Sequence, residues 1–197
     1  MKNKEQILII PTNYISHLGH GFVGNLSIST ESSYVLYDST GIYKPLYEIE
    51  RKICLIRISV FLLVKNSEDK YLVKELCDKS KKPYLELGVH SYVKSYSGNY
   101  KALYNQISYL QNHHFKNNSV DDFKFIGNIR DLTNNTVQSI LGCIYYAQID
   151  DFTYEENTIY EYKWYSKQEL IDRYNKATSW SKIIIDMMVD NSIERFI

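Results

Sequence analysis

Between Leu87 and Val120 the chain holds no aspartate and no glutamate, although 23 acidic residues are spread over its 197 positions. At average composition a stretch of that length contains about four. Hard divalent cations such as Mg²⁺ take oxygen ligands, carboxylates above all, so a site for them cannot be built from this segment alone. The other absences are milder. No run approaches the ~18 to 20 uninterrupted apolar residues of a membrane-spanning helix. The apolar run Ile7 to Ile10 stops at Pro11, too short for a secretory core, and reads as a strand. The 23 basic residues balance the 23 acidic ones, so no electrostatic argument points to nucleic acid or an anionic membrane as partner. Three cysteines, Cys54, Cys77 and Cys143, form no CxxC pair and imply neither a disulfide framework nor a zinc knuckle. Cys54 and Cys143 lie in apolar runs that favour buried free thiols. Together these features suggest a cytoplasmic protein.

What is present suffices for a core. Hydrophobic residues make up 44% of the chain, and a length near 200 suggests one domain with an elaborated edge. Tyrosine is abundant, 19 copies against seven phenylalanines, but many follow strand or helix periodicity and are assigned to packing. Gln6 to Ile10 reads as a first strand, and His17 to Asn25 as a glycine-rich turn without the Gly-Lys-Ser/Thr ending of a phosphate loop. Residues 26 to 52 suggest a small hairpin and a connecting loop. Ile53 to Val64 is nearly continuous and β-branched, as in a strand buried on both faces. The turn Asn66 to Asp69 returns it as Tyr71 to Leu76, and Leu85 to Val93 is a further extended piece.

A helix is expected from about Asn99 to Asn112, with Leu103, Ile107 and Leu110 as one stripe and Ser97 or Asn99 as cap. Strands follow at Phe123 to Ile129, Val137 to Ile149 and Glu161 to Tyr165. Ser166 and Glu169 form a capping box for the next helix. Thr178 or Ser179 caps a last one through Ile183, Ile184, Met187 and Met188. This order indicates an α+β or α/β layered domain.

Several pieces then match a known family in order. Gln6-Ile7-Leu8-Ile9-Ile10-Pro11 resembles an opening strand and proline. Ser59 to Val64 with Tyr71-Leu72-Val73-Lys74 resembles a hairpin, and Leu87-Gly88-Val89-His90 resembles a Gly-Gly-His corner. Phe125-Ile126-Gly127 and Leu141-Gly142 resemble two glycine-marked strands. Lys163-Trp164-Tyr165-Ser166 with Glu169-Leu170 resembles a strand-to-helix corner, and Ser179-Trp180-Ser181 the start of a closing helix. Together they resemble the Nudix hydrolase superfamily, in a bacterial branch with an N-terminal extension. The resemblance implies an α+β fold, an α/β/α sandwich with a mixed central sheet, an N-terminal strand extension and C-terminal helices. Residues 1–197 are then a single Nudix-like domain, 1–52 being the extension and 53–197 the core.

The resemblance also implies hydrolysis of nucleoside diphosphates linked to a second group, by a helix reading Arg-Glu-hydrophobic-x-Glu-Glu. Carboxylates three and four residues apart on that helix hold the metals that position water. Here the matching helix runs from Ala102 to Leu110. If Ile107 takes the hydrophobic place, Asn105 replaces the arginine, and Gln106, Tyr109 and Leu110 replace the glutamates. A shorter register puts Leu103, Gln106 and Ile107 there instead. Neither supplies an acid, so no catalytic residue, no metal ligand and no Mg²⁺ cofactor is expected.

The candidate ligand pocket is His90, Asn105, Gln106 and Tyr109, groups that hydrogen-bond or stack. For His90, substrate contact and structural hydrogen bonding both stay open. Glu75 and Glu86, with Asp121 and Asp122, are the candidate relocated acids, surface charge being the simpler reading. His113 and His114 suit the helix C-terminus. No Ser-His-Asp arrangement can be argued from spacing. The first reading is a non-catalytic domain that binds a nucleotide or nucleotide derivative in a regulatory role. The alternatives are a protein-interaction module, as a homodimer or with another protein, using the cleft or the extension, and a hydrolase of phosphoanhydrides with relocated ligands.

Overall fold

The strand expected from Ile53 to Val64 organises the sheet. β4 spans Leu55–Lys65, and every residue from Ile58 to Val64 is at most 1% exposed, as an unbroken apolar run requires. Alternation divides its side chains between two cores. Val60, Leu62 and Val64 enter one, and Phe61 and Leu63 the other. The computed structural model describes residues 5–11, 19–24, 33–37, 55–76, 84–95, 102–115, 117–132, 140–153 and 159–197. The expected features at Cys54, Cys77, Ser97, Asn99 and the 134–135 turn lie outside the described residues.

Among the described residues, eleven strands join in one mixed sheet. β1 (Glu5–Pro11) pairs antiparallel with β4, setting Ile10 opposite Ile56, and with β3 (Ser33–Tyr37). The N-terminal strands are therefore continuous with the sheet that holds β4. β5 (Lys70–Leu76) returns from β4 through a turn in which the Asn66 side-chain oxygen accepts the Glu68 and Lys70 N–H groups at 3.1 and 2.9 Å. β10 (Ile140–Gln148) lies parallel to β4 on the other side, and β9 (Lys124–Asp131) antiparallel to β10. β11 (Tyr160–Ser166) closes the far edge beyond β5.

The expected glycine-rich turn is instead, over its described part, the edge strand β2 (Gly21–Gly24), antiparallel to β9. Positive φ at Gly21 and Gly24, 124° and 75°, lets the strand take a register shift and stay paired. This places the Phe22 ring over Gly127, where a Cβ would collide with it.

Helices cover the two faces. α1 (Ala102–His114) buries Ile107 and Leu110 in the core of Val60 and Leu62. α2 (Lys167–Asp172) begins with the expected capping box: Ser166 Oγ accepts the Glu169 N–H at 3.3 Å, and the Glu169 carboxylate accepts the Ser166 N–H at 2.8 Å. Ser166→Ala should cost about 1 kcal/mol, read as a lower urea midpoint at unchanged slope. α3 (Ser179–Val189) packs Trp180, Ile184 and Met188 with Phe61 and Leu63. Thr178 occupies its N-cap position but makes no side-chain cap bond. Its hydroxyl lies 2.7 Å from Ser181 Oγ, which accepts the Leu87 N–H at 3.0 Å. The Ser181 hydroxyl ties α3 to the sheet, because that buried N–H needs an acceptor, and Thr178 bonds Ser181 in turn.

Candidate functional site

β4 and β5 pair only at Lys65 and Tyr71 and then diverge. The chain from Leu85 to Tyr92 occupies the fork between them. β6 (Leu85–Leu87) pairs with β5, and β7 (Val89–Tyr92) pairs with β4. Gly88 joins the two at φ 64°, donating its N–H to the Leu72 carbonyl at 2.7 Å, and a Cβ there would be driven into the Leu62 carbonyl. The corner needs glycine for both reasons. It also slips the side-chain phase by one residue. Strict alternation would put Leu87 and Val89 on one face, yet Leu87 belongs to the α3-side core and Val89 to the α1-side core.

Around this corner Glu86 meets His90. Glu86 is 3% exposed. One carboxylate oxygen lies 3.2 Å from His90 Nδ1, and the other accepts the Tyr84 hydroxyl at 2.5 Å and lies 3.6 Å from Lys74 Nζ. Burial pushes the Glu86 carboxyl upward, but the His90 hydrogen bond and charge, the Tyr84 hydroxyl and Lys74 together hold it below the usual carboxylate range. Burial and the Glu86 charge push the Tyr84 phenol far upward. His90 Nε2 lies 3.4 Å from the fully buried Ser59 Oγ, and its ring stacks on Phe61 at 4.7 Å and 14°. Tyr84, Glu86, His90 and Ser59 are thus a connected polar chain inside the sheet. Ser59 and Tyr84 were not anticipated; the signal was Tyr84 and Glu86, two apart on a strand and so on one face.

Of the other sequence candidates, Gln106 points inward, 5% exposed, and donates to Ser91 Oγ at 3.0 Å. Asn105 is exposed, and Tyr109 is 61% exposed, stacked on His113 at 5.8 Å. Ile107 is 3% and Tyr104 53% exposed, which fits the register giving the hydrophobic place to Ile107. His90 sits on the α3 side with Phe61 and Trp180. The four do not converge on one point. His113 and His114 stand in the last turn of α1, and His114 meets the Phe152 ring and lies 3.4 Å from the Thr153 carbonyl. The Gln111 amide donates to the carbonyls of Phe115 and Asn118.

Glu75 and Glu86 also stand apart. Glu75 follows Val73 on the α3 face, where Lys163 and Arg173 approach it at 3.5 and 3.9 Å. Glu86, between Leu85 and Leu87 of the α3-side core, points to the opposite face. Asp122 is engaged in a capping box with Ser119, accepting its N–H at 2.7 Å. Among the described residues no three His, Cys, Asp or Glu side chains group as a metal site.

A cavity of about 530 Å³ opens beside α1 on its own face of the sheet. Its apolar lining is Leu103, Ile107, Val120 and Phe123; its polar groups are Tyr104, Asp121, Lys124 and Tyr145. Burial, with a smaller contribution from Cys143, pushes the Tyr145 phenol up to about 12. Cys143 is itself buried, its thiol pushed up to about 12 by burial, so it is a packing group. Sequence spacing could not have found this site, because it joins α1, the Val120–Asp122 turn, β9 and β10.

No family model and no curated protein matches the sequence. Solved structures do match by shape. Tm1382, described as a candidate Nudix hydrolase, superposes with a TM-score of 0.71 at 15% identity, covering 94% of this chain and 98% of its own. DR0079 from Deinococcus radiodurans gives a TM-score of 0.50 at 14% identity over 84% and 96%. No helix among the described residues is long and apolar enough to cross a membrane. A forked mixed sheet between α1 and α3, shared almost end to end with Tm1382, makes this chain a Nudix-like α+β fold.

Proposed function

We propose that this domain binds a nucleotide-type small molecule and does so without the divalent-metal hydrolysis that the Nudix resemblance implies. One observation carries the reading: the helix at the metal-binding position has no carboxylate on any face. α1 offers Tyr104, Asn105, Ser108 and Tyr109 outward or at its flank, and Gln106, Ile107, Leu110 and Gln111 inward. Amides and phenols lack the charge that Mg²⁺ requires. They also lack the repulsion that uncompensated carboxylates exert on phosphate, so an anionic ligand can approach without a metal between. Glu75 and Glu86 point to opposite faces of the sheet, which weighs against a relocated metal pair.

Titration calorimetry with nucleotides, nucleotide sugars and dinucleotides tests this. Saturable binding that persists in EDTA is expected, as a site without metal ligands requires. Absence of heat across the panel would sink it. Metal-stimulated turnover of phosphoanhydrides, lost in Glu75→Gln, would establish a hydrolase instead.

A further inference from the structure

We propose that β11 pairs with the β11 strand of a second copy of this chain, antiparallel about a two-fold axis at Tyr162, so that two molecules share one continuous sheet. The backbone supplies the first half of the argument. The Leu72 carbonyl accepts the Gly88 N–H at 2.7 Å, and the Leu76 N–H donates to the Tyr84 carbonyl at 3.3 Å. These residues of β5 therefore turn their hydrogen-bonding groups toward β6 and its flanks. Tyr71, Val73 and Glu75 turn theirs the other way, to their β11 partners Tyr165, Lys163 and Glu161. The N–H and C=O groups of Tyr160 and Trp164 are thus aimed out of the sheet, where none of the described strands lies. Such an edge is a template for another strand unless proline, a bulge or an unmatched charge guards it. β11 runs seven residues without proline and pairs with β5 without a register shift.

Charge selects the occupant and the register. With Tyr160 facing Trp164 of the second copy, the two exchange both backbone hydrogen bonds, and Glu161 falls opposite Lys163 on either side of the axis. These are the closely spaced pairs, and the Lys163 and Glu161 side chains, 44% and 41% exposed, can reach across. Within one chain Lys163 already lies 2.5 Å from Glu161 and 3.5 Å from Glu75, and pairing adds a carboxylate of the second copy to this row. Sliding one copy by two residues sets Lys163 against Lys163 or Glu161 against Glu161, which repel. Sliding by one aims outward groups at residues whose own groups point inward. On the other face Tyr160, Tyr162 and Trp164, all half-buried, form an aromatic row with their counterparts.

Sedimentation equilibrium of the full chain from about 1 to 300 μM tests this, and a monomer–dimer equilibrium is expected within that range. Lys163→Glu sets carboxylates against each other at both places and should weaken the dimer by roughly ten-fold or more, as should Glu161→Lys. An equimolar mixture of the two variants should reassociate, because each chain then meets the opposite charge at both places. The chain carrying both substitutions keeps the ion pair within its strand. It should dimerise with itself yet not exchange subunits with the natural chain, a result that stands even where a single variant fails to fold. A monomer throughout the range, a dimer unmoved by either substitution, or free exchange between the doubly substituted and natural chains overturns the proposal.

Discussion

Gly88→Ala is expected to lower the unfolding free energy by about 4 kcal/mol, combining a left-handed backbone penalty of about 1–2 kcal/mol with displacement of neighbouring main chain. Gly88 sits at φ 64° with its missing Cβ aimed at the Leu62 carbonyl, while its N–H bonds the Leu72 carbonyl. The obstacle is backbone in the middle of β4, whose residues from Ile58 to Val64 are at most 1% exposed, so it has nowhere to move. Gly24 provides the control. It is also left-handed, at φ 75°, but no described residue lies within 4 Å of an added Cβ. Gly24→Ala should therefore cost only about 1–2 kcal/mol. Urea unfolding of both variants measures the difference. Equal losses would mean that the approach of Leu62 is not what fixes the corner.

Glu86→Ala should cost about 3 kcal/mol, because it leaves the Tyr84 hydroxyl, His90 and Lys74 without their shared acceptor in a buried setting. Glu86→Gln keeps the shape and should cost less, but it removes a titration. The Glu86 carboxyl is held below its ordinary value of 4.5 in the folded chain. A depressed carboxyl contributes stability that is fully present above its unfolded value, and that is lost as pH falls through the folded one. The stability gap between the natural chain and Glu86→Gln should thus shrink as the solution is acidified below about 4.5. Unfolding midpoints of the two proteins across pH 3 to 7 provide the measurement. A gap that stays level throughout would show that the carboxylate is not the group in charge of the pair.

Most elements were legible because their signals are local. The run Ile58 to Val64 has no polar break except Ser59, and the Ser166–Glu169 box sits at fixed spacing, so strand and helix start could be read directly. The stripe of Leu103, Ile107 and Leu110 fixed the inner face of α1 in the same way. Where glycine was read only as turn chemistry, the reading missed β2, since a bulged edge strand tolerates the same residues. The candidate pocket was drawn from one helix and one corner, and side chains on neighbouring positions of a helix point to different sides. Gln106 went to the sheet, while Asn105 and Tyr109 went to solvent. Lys124 and Tyr145 entered the cavity only because β10 lies beside β9. The phase slip at Gly88 was hidden too, because it depends on a fork between strands that no single segment encodes.

The parallel pairing of β4 with β10 places Ser59 opposite Gly142. At a synthesis rate of about 5–20 residues per second, roughly 4 to 17 s separate the emergence of these two partners from a ribosome. Through that interval the apolar stretch Ile58 to Val64 has the later-made half of its shelter still missing. Pairings between distant segments also close slowly even in the finished chain, since the loop between them must be ordered before contact rewards it. The strand at the centre of the mature sheet is therefore also an apolar segment that stays partly uncovered while the protein is being made.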